Sequence, residues 1–225
     1  MNIRMAILLM ISTMHLPAAD KPLQRAEKAA DVLDEIMATP DRSIPGDLIN
    51  RAHCIAIVPG VLKGGFIFGG KYGKGFISCR GRDKKGWTGP SAVKIEGGSF
   101  GLQIGGTQTD VVLLMMNERG KDKLLQSKFT LGADAAVAGG PVGRTAQAQT
   151  DAQLHAEILS YSRSRGVFAG VSLEGATLRP DRDANRKIYG GDFTAKQILY
   201  GEIPPPQSVS RLMAALNKHS SAEHR

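Results

Sequence analysis

The sequence predicts an α+β fold: a curved, mostly antiparallel, glycine-rich β core, sandwich or barrel-like, flanked by N- and C-terminal helices. Three observations carry this expectation. Glycine takes 27 of the 225 positions, against the roughly 16 that a usual ~7% would give, so the backbone must turn or pack closely in many places. Between Cys54 and Leu173 apolar residues alternate with polar ones or run in short bursts, as strands do. At both ends of the chain the apolar spacing changes to that of helices. With 42% hydrophobic and 22% charged residues, the composition is that of one globular domain and excludes a disordered chain or a polytopic membrane protein.

From Pro22 to Met37, Leu23, Ala26, Ala30, Leu33 and Met37 recur at helical spacing, with Gln24, Arg25, Lys28, Asp31 and Glu35 on the other side. This predicts an amphipathic helix stopped at Thr39-Pro40, because proline cannot continue the hydrogen-bond ladder. A short helix is expected over 46–52. Ile55-Ala56-Ile57-Val58 reads as a buried strand stopped by Pro59-Gly60. Residues 64–76 follow as two short apolar runs around Gly-Gly-Lys-Tyr-Gly-Lys-Gly, a glycine-rich hairpin or a pair of strongly bent strands. Segments 91–96, 100–104 and 110–116 alternate as strands, with Gly105-Gly106 as a bulge or turn. A short helix is expected over 120–126, then strands over 128–131, 156–164 and 166–173. Beyond Pro180 the chain turns polar and helical, with a short helix at 194–199. After the stiff Pro204-Pro205-Pro206 break, Val209, Leu212, Met213 and Leu216 mark a last helix over 208–217.

The start of the chain reads as a secretory signal peptide over 1–18. Arg4 gives a basic beginning, residues 6–16 are largely apolar, and Pro17-Ala18-Ala19 offers small residues for cleavage after Ala18. The folded domain is then expected over 22–217 and a frayed tail over 218–225. Export to the periplasm or cell envelope is the predicted location. Cys54 and Cys79 are the two cysteines. In an exported chain they can form one disulfide, and as members of apolar strand-like runs they can equally be two buried thiols.

Signals for catalysis are weak. Residues 65–72 fit the spacing of a phosphate loop, but Tyr72 stands where Ser or Thr must reach magnesium, and a strand rather than a helix follows. Gly97-Gly98-Ser99-Phe100-Gly101 matches a nucleophile elbow by its letters. That elbow needs strand, sharp turn and helix, whereas another alternating run follows Ser99. A hydrolase using Ser99, with His155 as base and Asp110 or Asp134 as third member, is the alternative enzyme reading. Otherwise these aspartates cap turns or pair with an arginine such as Arg144. Metal spacings such as H-x-x-x-H are lacking from the sequence. A non-enzyme without cofactor or metal is expected.

The formal net charge is +8, which biases the protein toward anionic partners: phospholipid surfaces, nucleic acid or acidic polymers. Lys71, Lys74, Arg80, Arg82, Lys84 and Lys85 stand against one acid, Asp83, within fifteen positions. Further basic groups are Arg163 with Arg165, and Arg179, Arg182, Arg186 and Lys187 around Asp181 and Asp183. Nucleic-acid binding needs aromatic residues interleaved with such charges, and only Tyr72 and Trp87 are near; no nucleic-acid partner is expected. Trp87 suits a membrane interface, where an amphipathic ring sits at headgroup depth, and is equally suited to plug the core. The expected site is therefore an anionic membrane contact made by Lys71, Lys74, Arg80, Arg82, Lys84 and Lys85, with Trp87 in the headgroups.

Four ordered segments resemble the SYLF domain family: CIAIVPGVLKGGFIFGGKYGKG over 54–75, WTGPSAVKIEGGSFGLQIGGTQTDVVLLMMN over 87–117, KFTLGADAAVAGGPVGR over 128–144 and YSRSRGVFAGVSLEGATLRPD over 161–181. The likeness covers about 22–216. What the resemblance implies is phospholipid binding, phosphoinositides among eukaryotic members and actin in the fungal branch, with no established catalysis. A lone domain behind a signal peptide is similar to bacterial members, for which anionic phospholipid is the ligand that carries over. The envelope alternative is a structural or protein-binding module.

Overall fold

The computed structural model describes residues 21–39, 43–65, 68–81, 86–100, 106–118, 128–142, 156–164, 167–168 and 173–220. The signal-peptide segment and the helix expected over 120–126 lie outside them. Among the described residues nine strands form one sheet: β1 Cys54–Gly65, β2 Phe68–Cys79, β3 Ser91–Phe100, β4 Gly106–Met115, β5 Phe129–Thr130, β6 Val137–Gly139, β7 Ile158–Ser164, β8 Val167–Phe168 and β9 Thr177–Pro180. Their order is β5-β9-β3-β2-β1-β4-β7-β6, with β8 paired to β7. Every pairing is antiparallel except β6 with β7.

The topology forces the sheet to curl. In a flat sheet of eight strands the edges β5 and β6 would stand about 34 Å apart at ~4.8 Å per strand. Only residues 131–136 join those two edges, and a linker of that length reaches about 25 Å when fully extended. It is not extended: Asp134 donates its N–H to the Thr130 carbonyl at 2.9 Å, and Gly132 donates to Ala135 at 3.0 Å. The sheet therefore rolls into a half-barrel whose edges meet at one turn, the α+β architecture expected from the sequence.

Both faces of the half-barrel are buried over much of their length. Ile57, Phe76, Ala92, Val112, Leu114 and Tyr161 pack beneath the helices. Val58, Val61, Ile77, Val93, Ile95, Leu113 and Leu178 fill the inner face. The helices are α1 Pro22–Met37, α2 Gly46–Arg51, α3 Arg182–Tyr189, α4 Ala195–Leu199 and, after a 3-10 turn at Gln207–Val209, α5 Ser210–His219. Helix α1 runs over the predicted residues, with Pro22 in its first turn where its missing N–H costs nothing. Two of its side chains depart from the simple amphipathic reading. Arg25 is buried, whereas Leu23 is 43% exposed.

The glycine-rich hairpin differs from its expected form. Pro59-Gly60 does not stop the first strand; it is a bulge inside β1, where the register shifts between Ile57 and Leu62 against β2 and between Val58 and Val61 against β4. Proline has no N–H for the ladder, and a bulge is where a strand accommodates it. Gly60 takes φ +59° and donates its N–H to Asp110 Oδ1 at 2.9 Å. Gly69-Gly70-Lys71-Tyr72-Gly73-Lys74-Gly75 is not the turn but the body of β2. Gly75 answers the bulge: a Cβ there would stand 2.1 Å from the Ile57 carbonyl oxygen. Cys54 and Cys79 face each other across β1 and β2 and are joined by a disulfide, S–S 2.04 Å.

Candidate functional site

The face of the sheet that carries the helices is covered only in part. Counting in steps of two along β2 from buried Phe76 places Lys74, Tyr72 and Gly70 on that same face. The same alternation from Ala92 places Lys94, Glu96 and Gly98 there. Lys74 lies directly opposite Lys94, and Lys94 directly opposite Arg179 of β9. Three cations thus form one row across three neighbouring strands, about 10 Å from end to end at ~4.8 Å per strand. Like charges directly opposite one another destabilise a sheet, so this row needs a counter-charge.

Asp181 supplies it. This residue is 2% exposed and caps α3 by accepting from the Ala184 N–H at 3.3 Å. Its own N–H donates to the Ala92 carbonyl at 2.8 Å. The carboxylate lies 3.6 Å from the Lys74 ammonium and 3.5 Å from that of Lys94. Arg179 is paired with Glu96. Beside the row is a cavity of about 330 Å³ lined by Lys94, Glu96, Arg179, Pro180 and Arg182. Lys74, Lys94, Arg179 and Arg182 set against Asp181 and Glu96 leave two net positive charges over the row and the cavity beside it.

Of the residues nominated from the sequence, the described ones, Lys71, Lys74, Arg80 and Trp87, do not lie together on one exposed patch. Lys74 joins the cation row. Lys71 points to the inner face and is 7% exposed; burial and the nearby Lys63 charge lower its pKa, and Glu174 raises it. Arg80 and Trp87 are buried and stacked on one another, so in this structure Arg80 is not among exposed contact cations and Trp87 does not stand out toward headgroups. The Arg80 guanidinium lies 4.0 Å from the Trp87 ring centre and donates to the Ile49 carbonyl at 3.1 Å. The Trp87 indole N–H donates to Ser220 Oγ at 2.6 Å. Of its two suitable roles, the core plug is the one this placement supports. Arg82, Lys84 and Lys85 lie outside the described residues.

The elbow geometry is not formed at Ser99, which sits within β3 opposite Gly69. His155 lies outside the described residues. Asp110 is engaged by the Gly60 N–H and by Arg163 Nη2, the latter at 3.1 Å, and Asp134 accepts from the Thr130 N–H at 2.6 Å. Both aspartates therefore have the turn-capping or arginine-pairing roles that the sequence allows, with Arg163 in place of Arg144 for Asp110. Residues 65 and 68–72, from the segment with phosphate-loop spacing, are strand. Lys94 escaped the sequence reading because its partners are set by register, and register is not visible in a single strand's alternation.

Comparison with known proteins supplies the family. The family model described as "Las17-binding protein actin regulator" matches residues 96–219. "LAS seventeen-binding protein 3" of Saccharomyces cerevisiae is 39% identical over 183 residues, 80% of this chain and 39% of the relative. "SH3 domain-containing YSC84-like protein 1" of Homo sapiens is 35% identical over 210 residues, 91% of this chain and 61% of the relative. A Schizosaccharomyces pombe protein, "SH3 domain-containing protein PJ696.02", is 40% identical over 177 residues, 77% of this chain and 41% of the relative. The chain thus spans about two-fifths to three-fifths of the length of these relatives. With the family model covering more than half of its residues, the chain belongs to the Ysc84 (SYLF) family.

Proposed function

We propose that this domain is a non-catalytic module that binds anionic phospholipid membranes peripherally. The observation that carries the reading is the Lys74–Lys94–Arg179 row with Arg182 beside it, a cluster of cations on one face of the sheet. Each cation near an anionic membrane contributes about 1 kcal/mol. Two net charges give about 2 kcal/mol, and all four acting together about 4 kcal/mol, which is millimolar affinity. Arg82, Lys84 and Lys85 add charge in the connector between β2 and β3. Export to the periplasm or cell envelope is part of the proposal, supported by the Cys54–Cys79 bridge and by the basic-then-apolar opening of the sequence.

Vesicle flotation tests this. The protein should float with vesicles containing phosphatidylglycerol and not with neutral phosphatidylcholine, and binding should fall steeply with salt, because exposed charges are screened over ~8 Å at physiological ionic strength. A Lys94→Gln/Arg179→Gln variant should float several-fold less well. Failure of the wild type to float with anionic vesicles at low salt overturns the reading. A second reading rests on the family description, a Las17-binding actin regulator, and on the yeast relative named for Las17 binding, which make a protein partner the alternative. It predicts a partner retained at high salt without lipid, or co-sedimentation with filamentous actin.

A further inference from the structure

We infer that Leu62 and Tyr72 are the apolar contact that seats this face on a bilayer, their side chains entering the headgroup–acyl boundary of an anionic phospholipid membrane. The inference rests on the membrane reading above and names the part of the surface that penetrates.

Leu62 and Tyr72 are 55% and 45% exposed, large apolar side chains left open to solvent. They are not scattered. Leu62 stands directly opposite Tyr72 across β1 and β2, and Tyr72 directly opposite Glu96 of β3. This row lies two residues along the strands from the cation row, about 7 Å away on the same face. Tyrosine suits the position, since its ring is apolar and its hydroxyl keeps a polar partner at headgroup depth. Glu96, the acid in this row, is paired to Arg179 and so does not face a lipid phosphate unmet.

The next row outward consists of Gly106, Gly64, Gly70 and Gly98, paired in that order across four strands. All four are exposed, and a Cβ added at Gly70, Gly98 or Gly106 would meet nothing within 4 Å. No side chain there holds a flat surface away from the Leu62–Tyr72 pair. Cations and an apolar pair side by side match the phosphates and the headgroup–acyl boundary of a bilayer, and the side-chain-free glycine row beside them offers no protruding side chain against that contact. A soluble phosphate would engage the cations and gain nothing from the apolar pair, so the charge and the apolar row together select the membrane.

The test uses the full domain carrying Tyr72→Trp, with phosphatidylglycerol/phosphatidylcholine vesicles and with vesicles whose acyl chains are brominated. The added indole should shift to the blue on binding and be quenched by bromine, while Trp87, buried beneath Arg80, serves as the unresponsive reference in the wild type. Leu62→Ser/Tyr72→Ser should lower partitioning about tenfold and leave its salt dependence intact. If the protein floats but the indole at position 72 neither shifts nor is quenched, or if the double serine variant partitions as well as wild type, the inference falls and the membrane reading stands. If wild type does not float with anionic vesicles at low salt, both fall. Displacement from vesicles by millimolar inorganic phosphate at constant ionic strength identifies the row as a free-phosphate site and also overturns the inference.

Discussion

The indole N–H of Trp87 donates to the hydroxyl of Ser220 across 133 positions of sequence, at 2.6 Å. Ser220 in turn donates to the Leu216 carbonyl at 2.7 Å, so the hydroxyl is used on both sides. With Arg80 stacked on the ring and bonded to the Ile49 carbonyl, one tryptophan ties the end of β2, the end of α2 and the end of α5 together. Trp87→Ala should therefore cost about 3–5 kcal/mol in denaturant unfolding. Ser220→Ala, which leaves a buried indole N–H unpaired, should cost about 1–3 kcal/mol. A Trp87→Ala variant with unchanged stability and lost vesicle binding would return this residue to the headgroup role.

The glycines of β2 divide into two kinds, and substitution separates them. Gly75→Ala drives a methyl group into backbone, 2.1 Å from the Ile57 carbonyl oxygen and 2.7 Å from Val58 Cα. Neither atom can move without undoing the bulge, so a loss of about 3 kcal/mol is expected. Gly70→Ala meets open space and restricts the unfolded chain, so it should be neutral or stabilising by up to about 1 kcal/mol. Paired urea titrations of the two variants decide this. Equal effects would mean that the bulge does not press on Gly75.

Helix α1 and the alternation at Val93–Lys94–Ile95–Glu96 were legible in the sequence because local period alone determines them. The curl was not: it follows from β5 and β6 lying at opposite edges, which depends on pairing order. Pro59-Gly60 read as a stop since a proline ends most strands, and only the registers with β2 and β4 show that it is a bulge. The density of cations at 71–85 pointed toward charge, yet a β-strand sends neighbours to opposite faces, so Lys71 and Lys74 part company. Arg80 looked like a surface cation and Trp87 suited headgroup and core alike, because their partners, Ile49 and Ser220, are remote in the chain. The four residues that cluster, Lys74, Lys94, Arg179 and Arg182, come from three separate segments.

The Cys54–Cys79 bridge closes a loop of 25 residues between strands already paired side by side. Chain-entropy arithmetic for a loop of that size gives about 3.5 kcal/mol of stabilisation. Cys54→Ser/Cys79→Ser should lower the midpoint of thermal unfolding accordingly, and dithiothreitol should lower that of the wild type but not of the variant. Because both sulfurs are fully buried, reduction of the folded protein should be slow and should speed up as denaturant opens the sheet. Rapid reduction under native conditions would contradict the burial.

Asp34 of α1 accepts from His219 Nε2 at 2.6 Å and from Lys218 Nζ at 3.0 Å, both on α5. The His219 hydrogen bond, aided by Lys218 against an opposing effect of burial, holds the carboxyl below its ordinary value of 3.8. A carboxyl whose pKa is lower in the folded than in the unfolded state contributes stability above its unfolded value and loses it as pH falls through the folded one. This latch between the terminal helices is thus fully present at neutral pH and fades below about pH 4. Asp34→Asn should be less stable than wild type at pH 7, and the gap should be smaller at an acid pH below about 4. Since Asp34 is about one-third exposed, the gap should also narrow in high salt. Urea unfolding of both proteins at the two pH values provides the check: a gap that persists unchanged in acid would show that Asp34 acts through shape and not through its charge.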